Sequence, residues 1–210
     1  MALSVGKRFV VAIDGPAAAG KGTIAKALSE RFNFCYLDTG LLYRAVASKA
    51  IKGQDPIKVA KDFDKRLLSA SDIRTADVAR MASRVAKIPA VRAALFEFQR
   101  EFSNQPCGTV LDGRDIGTVI CPEANIKLFI TASSETRAER RFQELRKAGY
   151  ETNFNLVLSD IKERDERDSS RKEAPMKAAK DAYIIDTTNL NIRVSIETAI
   201  SLVQSVLIKC

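Results

Sequence analysis

Histidine does not occur anywhere in the 210 residues. Ser-His-Asp and Cys-His catalysis are therefore excluded, as is any zinc site that leans on imidazole. The chemistry falls to Lys, Arg, Asp and hydroxyl groups. Cysteine is scarce: Cys35, Cys107, Cys121 and Cys210 lie far apart, with no C-x-x-C pair. That spacing argues against a metal knuckle and against a disulfide framework, and it suits a reduced cytoplasm. No apolar run approaches membrane-spanning length, and the short "FVVAI" is interrupted by Asp14 and Gly15, so it makes a poor signal-peptide core. The expectation is a soluble, cytoplasmic chain with no membrane partner. Internal repeats and low-complexity tracts are missing as well.

What the chain does have is positive charge and an alternating pattern. Its 34 Lys and Arg face 26 Asp and Glu, a formal net charge of +8. That balance suggests anionic partners such as nucleotides, RNA or membrane lipid without choosing among them. The length suits one domain with embellishments. Short β-rich runs, "RFVVAI" at 8 to 13, "FCYLD" at 34 to 38, "GTVLD" at 108 to 112, "IKLFIT" at 126 to 131 and "AYIIDTT" at 182 to 188, alternate with helical patterns. Near-continuous apolar strands of this kind predict an α/β fold, a parallel sheet covered on both faces.

Helices are expected over 21 to 31 and 41 to 51, and as a pair over 76 to 103 parted near Pro89. An amphipathic closing helix is expected over 192 to 208. Two stretches stand apart as excursions: the polar residues 52 to 75, and a highly charged helical pair over 134 to 173 joined near "KAGYETN".

The first strand runs into "DGPAAAGKGT", residues 14 to 23. A strand, a glycine-spaced turn and a helix aim successive backbone N–H groups at one point, where the helix N-terminus adds partial positive charge. The loop from Gly15 through Pro16, Ala17, Ala18, Ala19 and Gly20 to Lys21, Gly22 and Thr23 is thus a candidate nucleotide site. Lys21 can reach the outer phosphates. Gly22 stands where the usual pattern has Ser or Thr, and Thr23 can supply the missing hydroxyl. With the hydroxyl moved one place on, the loop resembles that of nucleoside monophosphate kinases.

Other strand ends carry matching chemistry. "YLDTGLLYR" places Asp38, Thr39, Tyr43 and Arg44 where open α/β sheets bind ligands; Asp38 and Thr39 also suit a helix cap. "VLDGRDIGT" offers Asp112, Arg114 and Asp115. There a guanidinium can clamp phosphate while a carboxylate accepts from an exocyclic amine. In "KERDER", Glu163 with Arg167 and Arg164 with Asp168 stand at helical i, i+4 spacing, a salt-bridged face or a closing clamp.

Taken in order, "GPAAAGKGT", "DTGLLYR", "DGRDIGT" and "IKERDERDSSR" resemble the motifs of bacterial cytidylate kinases over nearly the whole chain. The resemblance implies a three-layer P-loop kinase fold, a five-stranded parallel sheet with helices on both faces. It implies one domain over 1 to 210, with an acceptor-binding region at about 39 to 103 and a mobile lid at about 149 to 172. The implied reaction moves the γ-phosphoryl group of ATP to CMP or dCMP, giving CDP or dCDP and ADP.

Residue by residue, the resemblance puts Thr39, Tyr43 and Arg44 beside the acceptor, and Ser83, Arg92 and Asp115 in its base pocket. Arg114 matches a phosphate clamp, Arg164, Arg167 and Arg171 match lid arginines, and Asp168 matches an acceptor-sugar contact. Arg140 matches a contact to the donor nucleotide. Many members carry a strand-rich insert before the segment matching "DIRT"; here only "KGQDPIKVAKDFDKRLLSAS" precedes it, so a smaller acceptor region is expected.

Magnesium is expected to arrive on ATP, near Thr23 and Asp112, with no dedicated protein metal ligands. The acceptor nucleophile is an ionised phosphate, so no catalytic base is needed. A monomer is the default, with no nucleic-acid partner. Two rival readings stay open on the residues: a kinase of UMP or of a shikimate-like alcohol, and a P-loop protein that binds RNA through its positive surface. The lack of aromatics clustered among the basic runs speaks against the second.

Overall fold

The computed structural model describes residues 8 to 208. Five apolar runs form the strands β1 Val10–Asp14, β2 Cys35–Asp38, β3 Thr109–Asp112, β4 Ile126–Thr131 and β5 Tyr183–Asp186. All pair in parallel, in the order β2-β3-β1-β4-β5. The central β1 is buried along its whole length. Its alternate residues enter two different cores, Val10 and Ala12 one, Val11 and Ile13 the other. A strand covered on both faces needs apolar residues at every position, hence the unbroken run.

One face of the sheet is covered by α1 Lys21–Phe32 and α8 Ile192–Leu207, through Ile24, Leu28, Ala199 and Val203. The other is covered by α2 Thr39–Ile51, α4 Ala76–Val85 and α5 Pro89–Ser103, through Leu42, Val46, Val78, Val91 and Leu95. Each such buried aliphatic side chain contributes about 1.5–3 kcal/mol. Pro89 opens α5 at its first turn, as its lack of an N–H favours. Between α2 and α4, the expected smaller region holds only the short α3 Pro56–Lys61 and two 3-10 turns, Lys65–Ser69 and Ser71–Arg74. The second excursion is the pair α6 Ser134–Lys147 and α7 Phe154–Ser169. A small apolar cluster of its own, built on Ala138, Val157 and Ile161, joins the two helices.

Four of the five strands end in aspartate: Asp14, Asp38, Asp112 and Asp186. The connections leave β1 toward β2 and β3 on one side and β4 and β5 on the other. The C-terminal end of β1 is therefore the switch point at which doubly wound sheets bind their ligands.

One expectation is corrected here. Cys35 and Cys107 are joined by a disulfide, with Cα atoms 6.4 Å apart. Their separation of 72 residues hid the contact in the sequence, and the parallel pairing of β2 with β3 creates it. Cys121 is free and buried, and Cys210 lies outside the described residues.

Candidate active site

At Gly15 the chain leaves β1 with φ 140°, and a Cβ there would stand 1.9 Å from the Ile130 carbonyl oxygen. Only glycine lets the loop start so close to β4. Further on, Ala18 holds a left-handed conformation at φ 59°, unusual for a residue with a Cβ and typical of loops shaped around a ligand. Gly20 precedes α1 and no side chain caps that helix, so its first N–H groups are left for an external acceptor.

Lys21 is 6% exposed. Its Nζ donates to the Pro16 carbonyl at 2.9 Å and stands 4.0 Å from Asp112 Oδ1. Burial pushes the ammonium's pKa down and the neighbouring Arg114 adds to the effect, while Asp112 opposes it. A buried cation in this state gains from any anion brought beside it. A Cβ at Gly22 would sit 3.5 Å from Asp112 Oδ2 and 3.7 Å from Tyr36 Oη, ordinary contacts. The Tyr36 hydroxyl donates to Asp112 Oδ2 at 3.3 Å, so a phenol occupies the surroundings of the missing side chain. Thr23 is exposed, in a cavity of about 780 Å³ that runs past Lys21 to Arg140, Thr187 and Ile196. Arg140 is held there by Thr187, donating to its Oγ1 at 2.9 Å and its carbonyl at 2.7 Å.

A second cavity, of about 240 Å³, brings Thr39, Tyr43, Arg44, Ser83, Arg92, Arg114, Asp115, Arg164, Asp168 and Arg171 together around Lys21. Neither Asp38 nor Thr39 caps α2 with its side chain: the Asp38 carboxylate makes no cap bond, and the Thr39 hydroxyl donates to the Asp112 carbonyl at 2.8 Å. That contact requires glycine at 113, where a Cβ would come within 2.7 Å of Thr39 Oγ1. Arg44 donates to the Ile73 carbonyl at 3.3 Å. Arg167 lies in an adjoining cavity and donates its Nε to Ser83 Oγ at 3.3 Å.

Asp168 gathers the arginines. Arg114 Nε donates to its Oδ2 at 2.9 Å, Arg171 pairs with its Oδ1, and Arg164 Nε stands 3.8 Å away. Burial opposes ionisation of Asp168, but Arg114, Arg171 and Arg164 outweigh it and hold the carboxyl below the usual carboxylate range. Arg164 itself is pushed down to about 9 by burial and by Arg114, which leaves it charged at neutral pH. Buried Nε atoms of Arg164 and Arg171 lack hydrogen-bond partners. Three guanidiniums on one carboxylate leave an excess of positive charge beside the cavity.

Arg92 pairs with Asp115 Oδ2 and donates to Tyr43 Oη at 3.3 Å. The two residues expected to read a base are thus bound to each other, with further donors of Arg92 and the other oxygen of Asp115 still available. Two positioning groups escaped the sequence reading. Asp14, 4% exposed, accepts from the backbone N–H groups of Ile116 and Gly117 at 2.8 and 2.7 Å. It thereby holds the π-turn Ile116–Ile120 that follows Asp115. Arg137, 5% exposed, lies under the phosphate loop. The only sequence signal for Asp14 was its place at a strand end, and Arg137 looked like one charge among many on a charged helix. Among the described residues, no group of three or more His, Cys, Asp or Glu is arranged to hold a metal ion.

Residues 11 to 205 match the family model described as Cytidylate kinase. The cytidylate kinase of Cereibacter sphaeroides is 53% identical over 197 residues, covering 94% of this chain and 96% of its own. That of Paramagnetospirillum magneticum is 50% identical over 206 residues, covering 93% and 98%. The Rhizobium meliloti enzyme is 43% identical over 206 residues, covering 95% and 97%. Among solved structures, an uncharacterized protein from Eubacterium ventriosum has a TM-score of 0.59 at 18% identity, covering 94% of this chain and 99% of its own, a likeness of fold. With identity this high along nearly the whole of both partners, the chain belongs to the cytidylate kinase family.

Proposed function

We propose that the two cavities are the donor and acceptor halves of one phosphoryl-transfer site, in which the chain uses ATP to phosphorylate CMP, and dCMP with it. The observation that carries this reading is that Lys21 and Gly22 line both cavities. A phosphate held by the loop is therefore at the junction, within reach of an acceptor among the arginines. ATP takes the loop from Gly15 to Thr23, with its base toward Arg140. CMP lies with its phosphate between Arg44 and Arg114 and its base against Ser83, Arg92 and Asp115.

Both reacting partners are polyanions. Two unit charges about 4 Å apart repel by about 4 kcal/mol at an effective dielectric of 20, so one lysine is not enough. Lys21 and the loop N–H groups hold the donor, and Arg114, Arg164 and Arg171 neutralise the charge on the transferring group. Helix α7 and the turn that follows it act as a lid, bringing Arg164, Arg167 and Arg171 in and shutting out water that would otherwise accept the phosphoryl group. Cytosine presents an amine donor at N4 and acceptors at N3 and O2. Asp115 takes the amine and Arg92 supplies the donors, whereas uracil opposes both.

A divalent cation carried on ATP fits these residues. Asp112 and Asp38 offer oxygens beside Lys21, Thr23 offers a hydroxyl on the donor side, and among the described residues no all-protein cage competes for the ion. When bound, the ion supplies charge neutralisation on the phosphates. We propose a monomeric enzyme of the cytoplasm, where the Cys35–Cys107 bond would be open to reduction; no described helix is long and apolar enough to cross a membrane. The test is ADP release, coupled to a reporter, across CMP, dCMP, UMP, AMP and shikimate. CMP and dCMP will be the strongest acceptors, and stronger turnover of any other would overturn the assignment.

A further inference from the structure

The α6–α7 pair packs through one stripe of α7. Val157 and Ile161 stand four residues apart on the side that meets Ala138 of α6. Asp165, four residues further on, continues the stripe, and there the apolar contact ends in an ion pair: Arg137 Nη2 donates to Asp165 Oδ2 at 2.6 Å. Asp165 has no other ion-pair partner among the described residues, and its Oδ1 is buried without a hydrogen-bond partner. The same guanidinium donates its Nε to the Ala132 carbonyl at 2.8 Å, just past β4, and its Nη1 to the Ala17 carbonyl in the phosphate loop at 3.4 Å. One planar fork thus joins the sheet, the phosphate loop and α7.

The geometry matters because of what α7 carries directly beside that stripe. Arg164 and Asp168 are four residues apart and face the cavity around Lys21. Each residue turns a helix by about 100°, so a small rotation of α7 would swing these groups away from Arg114. The apolar part of the stripe is a slippery constraint, since dispersion contacts are non-directional. A charged hydrogen bond from a rigid fork is directional, and a lysine ammonium could not make all three contacts at once.

We infer that Arg137 is a positioning residue for phosphoryl transfer: through Asp165 it sets the rotation at which α7 presents its arginines, and through Ala17 it ties that setting to the phosphate loop. The inference rests on the reading of the Lys21 cavities as the transfer site. Its predicted signature is loss of coupling. With α7 free to turn, ATP still binds the loop, but water reaches the transferring group more often.

The experiment uses the full chain and the variants Asp165→Asn, Arg137→Met, Arg137→Lys and the double variant Arg137→Met/Asp165→Asn. CDP formed, ATP consumed without CDP, and ATP affinity in the absence of acceptor are each measured well below the melting temperature. Asp165→Asn is expected to lower kcat for CMP about tenfold and to raise the fraction of ATP lost to water by a similar factor, with ATP affinity within twofold of wild type. Arg137→Lys will not restore coupling, and the double variant will be no worse than Arg137→Met alone. If Asp165→Asn keeps kcat and coupling within twofold, or if the two single effects multiply in the double variant, the inference is wrong. The first result stands even where Arg137→Met folds poorly, because Asp165→Asn is read by itself. A wild-type chain that forms no CDP would instead sink the reading of the site.

Discussion

Arg114 and Asp168 are 54 residues apart in the chain, yet Arg114 Nε donates to Asp168 Oδ2 at 2.9 Å. The contact joins the end of β3 to α7 and places one carboxylate at the centre of Arg114, Arg164 and Arg171. Without a nucleotide, Asp168 is the group that keeps these cations together. Removing it leaves buried, mutually repelling charges. Asp168→Ala is expected to lose on the order of 3 kcal/mol of stability in urea titrations at neutral pH, and kcat/KM for CMP will fall by at least about a hundredfold. Because phosphates supply the missing negative charge, ADP and CMP will raise the melting temperature of the variant more than that of the wild type. An equal rise in both would contradict this account of the cluster.

Lys21 sits at the junction of the two cavities, and the loop carbonyl of Pro16 is its near neighbour. Lys21→Ala removes the buried cation that lines both cavities. Turnover will fall by about a thousandfold or more. CMP binding, measured by calorimetry without ATP, will change far less.

Asp115 is tied to Arg92, and burial raises its carboxyl above the usual carboxylate range against the pull of that arginine. Asp115→Asn replaces an acceptor pair by an amide that can also donate. The preference for CMP over UMP in kcat/KM will shrink about tenfold or more, since a site built for hydrogen bonding discriminates through the groups it would leave unpaired. An unchanged ratio would remove Asp115 from the role of base reader.

Burial raises the Asp14 carboxyl to about 7, while the N–H groups of Gly117 and Ile116 pull it down. A carboxyl raised from its unfolded value of 3.8 binds more protons in the folded state, so its contribution to stability is lost as pH rises toward 7. Asparagine does not titrate. The stability of Asp14→Asn relative to wild type will therefore climb between pH 5 and 7 and level off above it, in urea titrations across that range. A relative stability that stays flat from pH 5 to 7 would show that Asp14 is already ionised there.

The Cys35–Cys107 bond closes a loop of 72 residues at the end of the sheet opposite the cavities. By chain entropy a loop of that length is worth about 4 kcal/mol. Reduction will lower the urea midpoint, while kcat/KM under native conditions stays within twofold, because β2 and β3 remain paired to their C-terminal ends. A loss of activity without a loss of stability would place the bond in the working of the site.

Much of the fold was legible because its signals are local. All five strands form where the apolar runs stand, within a residue or two. Pro89 marks the start of α5 as its chemistry requires. Even the small region before α4, lacking strands among the described residues, follows from the shortness of that stretch. The candidate site was legible in part. Lys21, Arg114, Asp115 and Asp168 do meet in one cavity. That Arg92 and Asp115 bind each other, and that Asp168 is the hub of three arginines, was not visible, because neither follows from spacing along the chain.

The sequence by itself determined the phosphate loop, the parallel sheet and the supply of arginines, since a strand, a glycine turn and a helix are short-range consequences of residue type and order. Only the tertiary structure decided which buried charges are paired with which: Asp14 under the turn after Asp115, Arg137 under the phosphate loop, Cys35 against Cys107. Those choices depend on distances between segments tens of residues apart. Strand order and helix packing set such distances, and no local pattern carries them.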